Sequence, residues 1–338
     1  MSSEYLLILP ILSSFLVVLL LMPFWIRKSK QIGLVWADMN KNYKSSVSGS
    51  GGIITILGFL IGLLIFIACK VFLINSQYYL VELFVILVVL LILSGIGLID
   101  DLLGWRKGGL SKRSRIILVL LSAIPLMAIN AGKSIISLPI LGTLDIGIFY
   151  PLIIIPLGIL GATTTFNFLA GFNGLEAGQG IILLSGLSLV SLLTGQGWLT
   201  VVCLIMVASL LGFLKYNQFP ARVFPGDSLT YSVGGLIALI AILGNFEKIA
   251  VFFFIPYIIE TILKLRGKLA KHSFGKPLSD GSLDLLYDKI YGLEHLAIYL
   301  LKRFNIKPTE QKVVLSIWLF QIIIIVIGFV IFRKGITA

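Results

Sequence analysis

The chain has 338 residues and a formal net charge of +12, with 58% hydrophobic and 12% charged residues. A soluble domain carries about twice that charged fraction, and the mean hydropathy of +1.06 points the same way, so the composition excludes a soluble globule and specifies a helical membrane protein. The positive charge does not indicate nucleic acid, because no basic stretch is interleaved with aromatics or forms a reading module.

Taken in chain order, the N-terminus opens MSSEYLLILP without a basic region, and its apolar run reaches Phe24. It reads as a first span and not as a cleavable signal. Apolar segments of spanning length recur at 5–25, 51–74, 79–99, 114–130, 148–166, 180–195, 198–214, 229–244, 247–264 and 313–333. The expected fold is an all-α polytopic integral membrane protein of about ten transmembrane helices, a single transmembrane domain over residues 1–338 with a longer cytosolic loop at 265–312. Only Gly195, Gln196 and Gly197 interrupt the 180–214 stretch. Of the 27 Lys and Arg residues, 22 fall in or beside the loops after the odd-numbered spans. Lys70, Lys133, Lys248, Arg333 and Lys334 are on the other side. This asymmetry predicts that the odd loops face the cytosol and the termini face out.

Every polar island falls in those odd loops. The first loop, 26–50, leads into span 2, where Gly58 and Gly62 form a GxxxG suited to close helix packing or to a homodimer face. The island IDDLLGWRKGGLSKRSR at 99–115 carries adjacent Asp100 and Asp101 at the end of span 3. They read as carboxylates solvated at the interface or, because a helix C-terminus favours cations, as a pair kept for metal or proton handling. Lys112, Arg113 and Arg115 follow, as a positive-inside anchor or as phosphate ligands. The GKS at 132–134 lacks the earlier glycine of a phosphate loop, since position 127 is Met.

The run NFLAGFNGLEAGQ at 167–179 places Asn167, Asn173 and Glu176 between long apolar stretches, where polar groups are costly unless used. FPARVFPGDS at 219–228 brings Asp227 just before span 8. Asn167 and Asp227 are hard oxygen ligands suited to Mg²⁺ shared with substrate phosphates. Gly171, Gly174, Gly178 and Gly226 would allow backbone to approach a nucleotide, or simply let the loops turn. In the last loop, His272 and Lys276 flank Ser273 and Gly275 and could contact a diphosphate. Leu283, Leu286, Ile290, Leu293, Leu296 and Leu300 share about one face of 283–304, predicting an amphipathic helix on the bilayer surface. Cys69 and Cys203 lie in apolar runs and imply neither zinc nor a disulfide.

DMNK (38–41), SGSGGI (48–53), GLIDDLLG (97–104), NFLAGFNGLEAGQ (167–179) and PARVFPGDS (220–228) together resemble the polyprenyl-phosphate N-acetylhexosamine-1-phosphate transferase family. The match covers nearly the whole chain and looks nearest the eukaryotic and archaeal branch, the UDP-GlcNAc:dolichyl-phosphate GlcNAc-1-phosphate transferases. Where the eukaryotic enzymes usually carry a Glu, the first loop here reads SGSGG. The resemblance implies ten helices and transfer of GlcNAc-1-phosphate from UDP-GlcNAc to a polyprenyl or dolichyl phosphate, with Mg²⁺ as cofactor and Mn²⁺ able to replace it. By the same match, Asn167 and Asp227 would hold the metal. Asp100, supported by Asp101, would orient or deprotonate the lipid phosphate, and Arg115 would bind a phosphate. Gly171, Asn173 and Phe224 would line the uridine pocket, with Glu176 and Lys112 among the substrate contacts. His272 and Lys276 would meet the diphosphate. The membrane would be an archaeal cell membrane, or the endoplasmic reticulum in a eukaryote. The alternatives are another UDP-N-acetylhexosamine, a bacterial-type acceptor as in phospho-MurNAc-pentapeptide transferases, or a nucleotide-sugar or lipid transporter.

Overall fold

The computed structural model describes residues 5–43, 45–138 and 142–333. Lys44 and Lys334, both part of the charge count above, lie outside the described residues. The chain runs through α1 (Tyr5–Gln31), a hairpin of β1 (Val35–Ala37) and β2 (Ser46–Ser48), α2 (Gly52–Ala68), α3 (Leu80–Lys107), α4 (Lys112–Ser122) and α5 (Ile124–Ala128). A second hairpin, β3 (Ile135–Leu138) and β4 (Gly142–Asp145), leads to α6 (Ile155–Phe168), α7 (Leu175–Leu193), α8 (Gly197–Asn217) and α9 (Asp227–Gly244). Then follow α10 (Glu247–Phe253), α11 (Ile255–Arg266), the short pair β5 (Lys276–Pro277) and β6 (Leu283–Asp284), α12 (Leu293–Arg303) and α13 (Glu310–Ile331). One π-helical turn extends α2 at Cys69–Leu73 and another precedes α6 at Tyr150–Ile154.

Among the described residues, eight helices are long and apolar enough to cross a membrane. The chain is therefore an all-α polytopic membrane protein. The expectation of about ten continuous spans is met only in part. Segment 114–130 is divided between α4 and α5 at Ala123, and segment 247–264 between α10 and α11 at Phe254. Pro125 and Pro256 cause both breaks. A proline lacks the N–H of the intrahelical bond and its ring strikes the preceding turn, so it is tolerated only near the start of a helix. The break at 194–196 is real, with Gly195 at positive φ between α7 and α8.

The central helix is α9, with 83% of its apolar window buried, whereas α1 at 22% and α13 at 33% form the lipid-facing periphery. Gly97 lets α3 cross α9 at its first turn. A Cβ at Gly97 would lie 2.4 Å from the Asp227 carbonyl oxygen and the Ser228 nitrogen. This close crossing sets the Asp pair of α3 against the N-terminus of α9.

The odd-numbered loops gather at one end of the bundle through backbone hydrogen bonds. Phe224 N donates to Ser48 O at 2.7 Å, Gly51 N to Phe224 O at 2.9 Å and Gly52 N to Pro225 O at 2.8 Å. The SGSGG run thus docks on the VFPGD run. Asn40 bridges two more loops, donating Nδ2 to Gly171 O at 2.8 Å and accepting from Gly275 N at 3.0 Å.

The amphipathic helix expected over 283–304 is shorter. Leu283 pairs with Pro277 in a two-residue ladder, and the helix starts only at Leu293. Its first N–H is taken by the Glu260 carboxylate, with Leu293 N donating to Oε2 at 2.6 Å. An acidic group at a helix N-terminus satisfies an orphan donor and the macrodipole together, which fixes this start.

Candidate active site

A cavity of about 700 Å³ opens where the end of α3, the α6–α7 loop, the N-terminus of α9 and residues 272–274 meet. Ten of the residues singled out from sequence line it: Asp100, Asp101, Arg115, Asn167, Gly171, Glu176, Phe224, Gly226, Asp227 and His272. Lys112, Asn173 and Lys276 do not. Lys112 is exposed in the first turn of α4, and Lys276 is exposed in β5.

Asp101 joins two elements. Its Oδ1 accepts from Asp227 N at 2.7 Å, and Oδ2 lies 3.5 Å from Ser228 N and 3.4 Å from Ser228 Oγ. It therefore caps α9 from across the bundle. The Asp pair does not end α3, which continues to Lys107, and Asp101 meets the positive end of α9 instead. Gly226, at φ +72, makes the approach, since a Cβ there would fall 2.2 Å from Asp101 Oδ2.

Asp100 is held differently. Arg115 Nη2 donates to its Oδ1 at 3.0 Å, and Nε lies 2.7 Å from Oδ2 at an angle too poor for a second hydrogen bond. Leu110 N donates to Oδ1 at 2.7 Å. Its side chain is 1% exposed and that of Arg115 is 38% exposed, so the guanidinium keeps one edge open to the cavity. Asp227 lies within hydrogen-bonding reach of Asp100, and Asn167 Nδ2 donates to its Oδ1 at 2.8 Å.

Three carboxylates thus crowd one corner. Asp101 is compensated by a helix N-terminus and Asp100 by Arg115, while Asp227 enters no ion pair among the described residues. That surplus of negative charge, with the Asn167 amide oxygen beside it, fits a hard divalent cation. Among the described residues, no group of three or more His, Cys, Asp or Glu is arranged to hold a metal ion alone.

Asn173 is a tie between loops. Its Nδ2 donates to Asp38 Oδ2 at 3.0 Å and its backbone N to Glu310 Oε1 at 2.8 Å. Lys41 stands between the same two acids, in contact with Glu310 and 3.3 Å from Asp38 Oδ2, with the Phe219 ring 3.9 Å below its Nζ. Glu176 closes its own loop by accepting from Gly171 N at 2.9 Å. Sequence reading gave no role to Asp38, Lys41, Phe274 or Glu310, although Asp38 and Lys41 stand in the quoted DMNK. Asp38 and Phe274 line the cavity, and Lys41 and Glu310 brace it.

Beneath the last loop, Glu294 is fully buried with both oxygens lacking a hydrogen-bond partner. Burial, and then the neighbouring Glu260 carboxylate, pushes its carboxyl well above the usual range, against the opposing pull of Lys264. A group with a raised folded-state pKa stabilises the fold below its unfolded value, and that contribution is lost as pH rises through the folded value. Glu294→Gln, which mimics the protonated form, should therefore gain thermal stability over the wild type as pH rises from about 5 to 8. The expected gain is about 2 °C or more per pH unit. A melting-temperature difference that stays constant across that range would show that Glu294 is not the protonated group.

Residues 83–245 match the family described as Glycosyl transferase family 4. Over 323 residues the chain is 36% identical to a Saccharolobus solfataricus protein named "Putative UDP-N-acetylglucosamine--dolichyl-phosphate N-acetylglucosaminephosphotransferase", covering 95% of each chain. A Sulfolobus acidocaldarius protein of the same name is 32% identical, over 96% of this chain and 95% of its own. A phospho-N-acetylmuramoyl-pentapeptide-transferase of Lacticaseibacillus paracasei is 27% identical, over 87% of this chain and 97% of its own.

Proposed function

The chain belongs to glycosyl transferase family 4, and from that premise we propose that it transfers GlcNAc-1-phosphate from UDP-GlcNAc to a dolichyl or other polyprenyl phosphate. An oxygen of the lipid phosphate attacks the β-phosphorus. The bond from that phosphorus to the bridging oxygen breaks, UMP leaves, and polyprenyl-diphosphate-GlcNAc forms. The observation that carries the reading is the convergence of Asp100–Arg115 and Asn167–Asp227 on one cavity. Phosphoryl transfer depends on charge neutralisation and in-line placement more than on covalent help from the protein.

Asn167 and Asp227 would hold Mg²⁺, which when bound neutralises diphosphate charge. Asp100, fixed by Arg115 and Leu110, orients the acceptor phosphate, and the open edge of Arg115 binds phosphate oxygens. Asp101 acts through α9 by fixing where Asp227 points. Gly171 and Phe224 line the nucleoside side. The test is UMP release by purified protein with Mg²⁺, dolichyl phosphate and a panel of UDP-sugars. UDP-GlcNAc should be the preferred donor, and EDTA should abolish release. Preference for another UDP-N-acetylhexosamine would keep the chemistry and change the substrate.

UDP-sugars are made in the cytosol, so this chemistry needs the gathered loops on that side, as the charge asymmetry predicts. In a background lacking Cys69 and Cys203, Ser45→Cys, Ser111→Cys and Ser279→Cys should react with an impermeant thiol reagent only after permeabilisation. Gln77→Cys should react in intact cells. Labelling of the first three from outside would invert the topology.

A further inference from the structure

Behind the cavity wall lies a buried ionic cluster built from α11 and α12. Glu260 and Glu294 are fully buried and Lys264 nearly so. Lys264 Nζ is 3.5 Å from Glu260 Oε1 and donates a hydrogen bond to Ser273 Oγ. Ser273 sits between two residues that line the cavity, His272 and Phe274. Their rings stack with centroids 6.1 Å apart and planes inclined at 22°.

The rest of this segment is pinned from other sides. His295 Nε2 is 3.2 Å from Phe274 O, and Gly275 N donates to Asn40. The Phe274 ring packs so closely on Gly171 that a Cβ there would lie 2.9 Å from it. Gly171 in turn is anchored to Asn40 and to Glu176. Residues 272–275 therefore press against the α6–α7 loop, whereas Asp100 and Arg115 belong to α3 and α4.

Burying a lysine is costly, and apolar residues of similar volume usually stabilise a fold at least as well. Beyond its ion pair with Glu260, the Lys264 ammonium reaches the Ser273 hydroxyl and so ties the buried cluster to the cavity wall. We propose that Lys264 is a positioning residue for the donor side of the cavity: through Ser273 it sets His272 and Phe274 against Gly171, so the wall facing the sugar diphosphate is in place before the donor arrives. This rests on the transfer reading given above.

The test uses the full-length enzyme and the variants Ser273→Ala, Ser273→Thr, Lys264→Met and Lys264→Met/Ser273→Ala. Three quantities are measured: UDP affinity by calorimetry, steady-state constants for both substrates, and melting temperature. Ser273→Ala should weaken UDP binding and raise the KM for UDP-GlcNAc by roughly tenfold. Turnover and the KM for dolichyl phosphate should stay within about twofold. Ser273→Thr, which keeps the hydroxyl, should restore wild-type values. The double variant should be no worse in donor KM than Lys264→Met alone, because both changes break one link.

An unchanged donor KM in Ser273→Ala would overturn the proposal, as would additive effects in the double variant. So would a parallel loss of turnover, both KM values and melting temperature. If Lys264→Met does not fold, Ser273→Ala against Ser273→Thr still decides. Failure of the wild type to release UMP from any UDP-sugar would instead sink the transfer reading, while UDP affinity would still report on the positioning link.

Discussion

Asp227→Ala is expected to lower turnover by about 10²–10³-fold or more while the protein stays folded. Asp227 is a cavity carboxylate that enters no ion pair among the described residues, and Asn167 is its hydrogen-bonded neighbour. Its backbone is fixed by Asp101 and its approach by Gly226, so the loss should be one of charge and not of architecture. Stability should move the other way. With Asp100 and Asp101 close by, removing one of three crowded carboxylates relieves like-charge repulsion, and a site held in tension for function commonly gains stability when disarmed. The decisive pair of measurements is UMP release with and without EDTA and a melting temperature. Wild-type turnover in EDTA, or an Asp227→Ala enzyme that remains active and EDTA-sensitive, would remove Asp227 from the metal.

Asp100→Asn is expected to cut turnover by about 10²-fold or more with UDP affinity largely kept. Its carboxylate is anchored by Arg115 and Leu110 N, which the proposed transfer assigns to the acceptor, and neither of these hydrogen bonds goes to the Gly171–Glu176 loop. The amide keeps the shape and an acceptor oxygen but loses the charge that aligns the lipid phosphate and Arg115. A matching loss of UDP affinity in a binding titration would show that Asp100 serves the donor instead.

Most of the spans could be read from the sequence because a bilayer demands about twenty apolar residues in a row, and α1, α2, α3, α8 and α13 supply them. Pro125 and Pro256 were equally visible, yet the mean apolarity of their segments masked the two broken helices. The cavity residues were legible where a polar side chain interrupts apolar sequence, as Asn167, Asp227 and Asp100 do. What escaped was pairing over distance. Asp101 meets α9 at 126 residues' separation and Asn173 meets Asp38 at 135, and nothing in either motif announces its partner. Periodicity failed over 283–292, because a leucine spacing that suits a helix also suits a loop tied down by Lys276–Pro277 and the Glu260 cap.

The tie from Lys41 to Glu310 spans 269 residues, joining the first loop to the start of the final helix. Synthesis runs from N- to C-terminus, so Lys41 and Asp38 leave the ribosome long before Glu310 exists. A nascent chain carrying every motif up to Asp227 still lacks the acid that fixes Lys41 and receives the Asn173 N–H. The Lys41–Glu310–Asn173 link between these loops is completed only when the last helix is in place. Catalytic competence is thereby tied to completion of translation, and a prematurely terminated chain leaves the ribosome without a finished pocket.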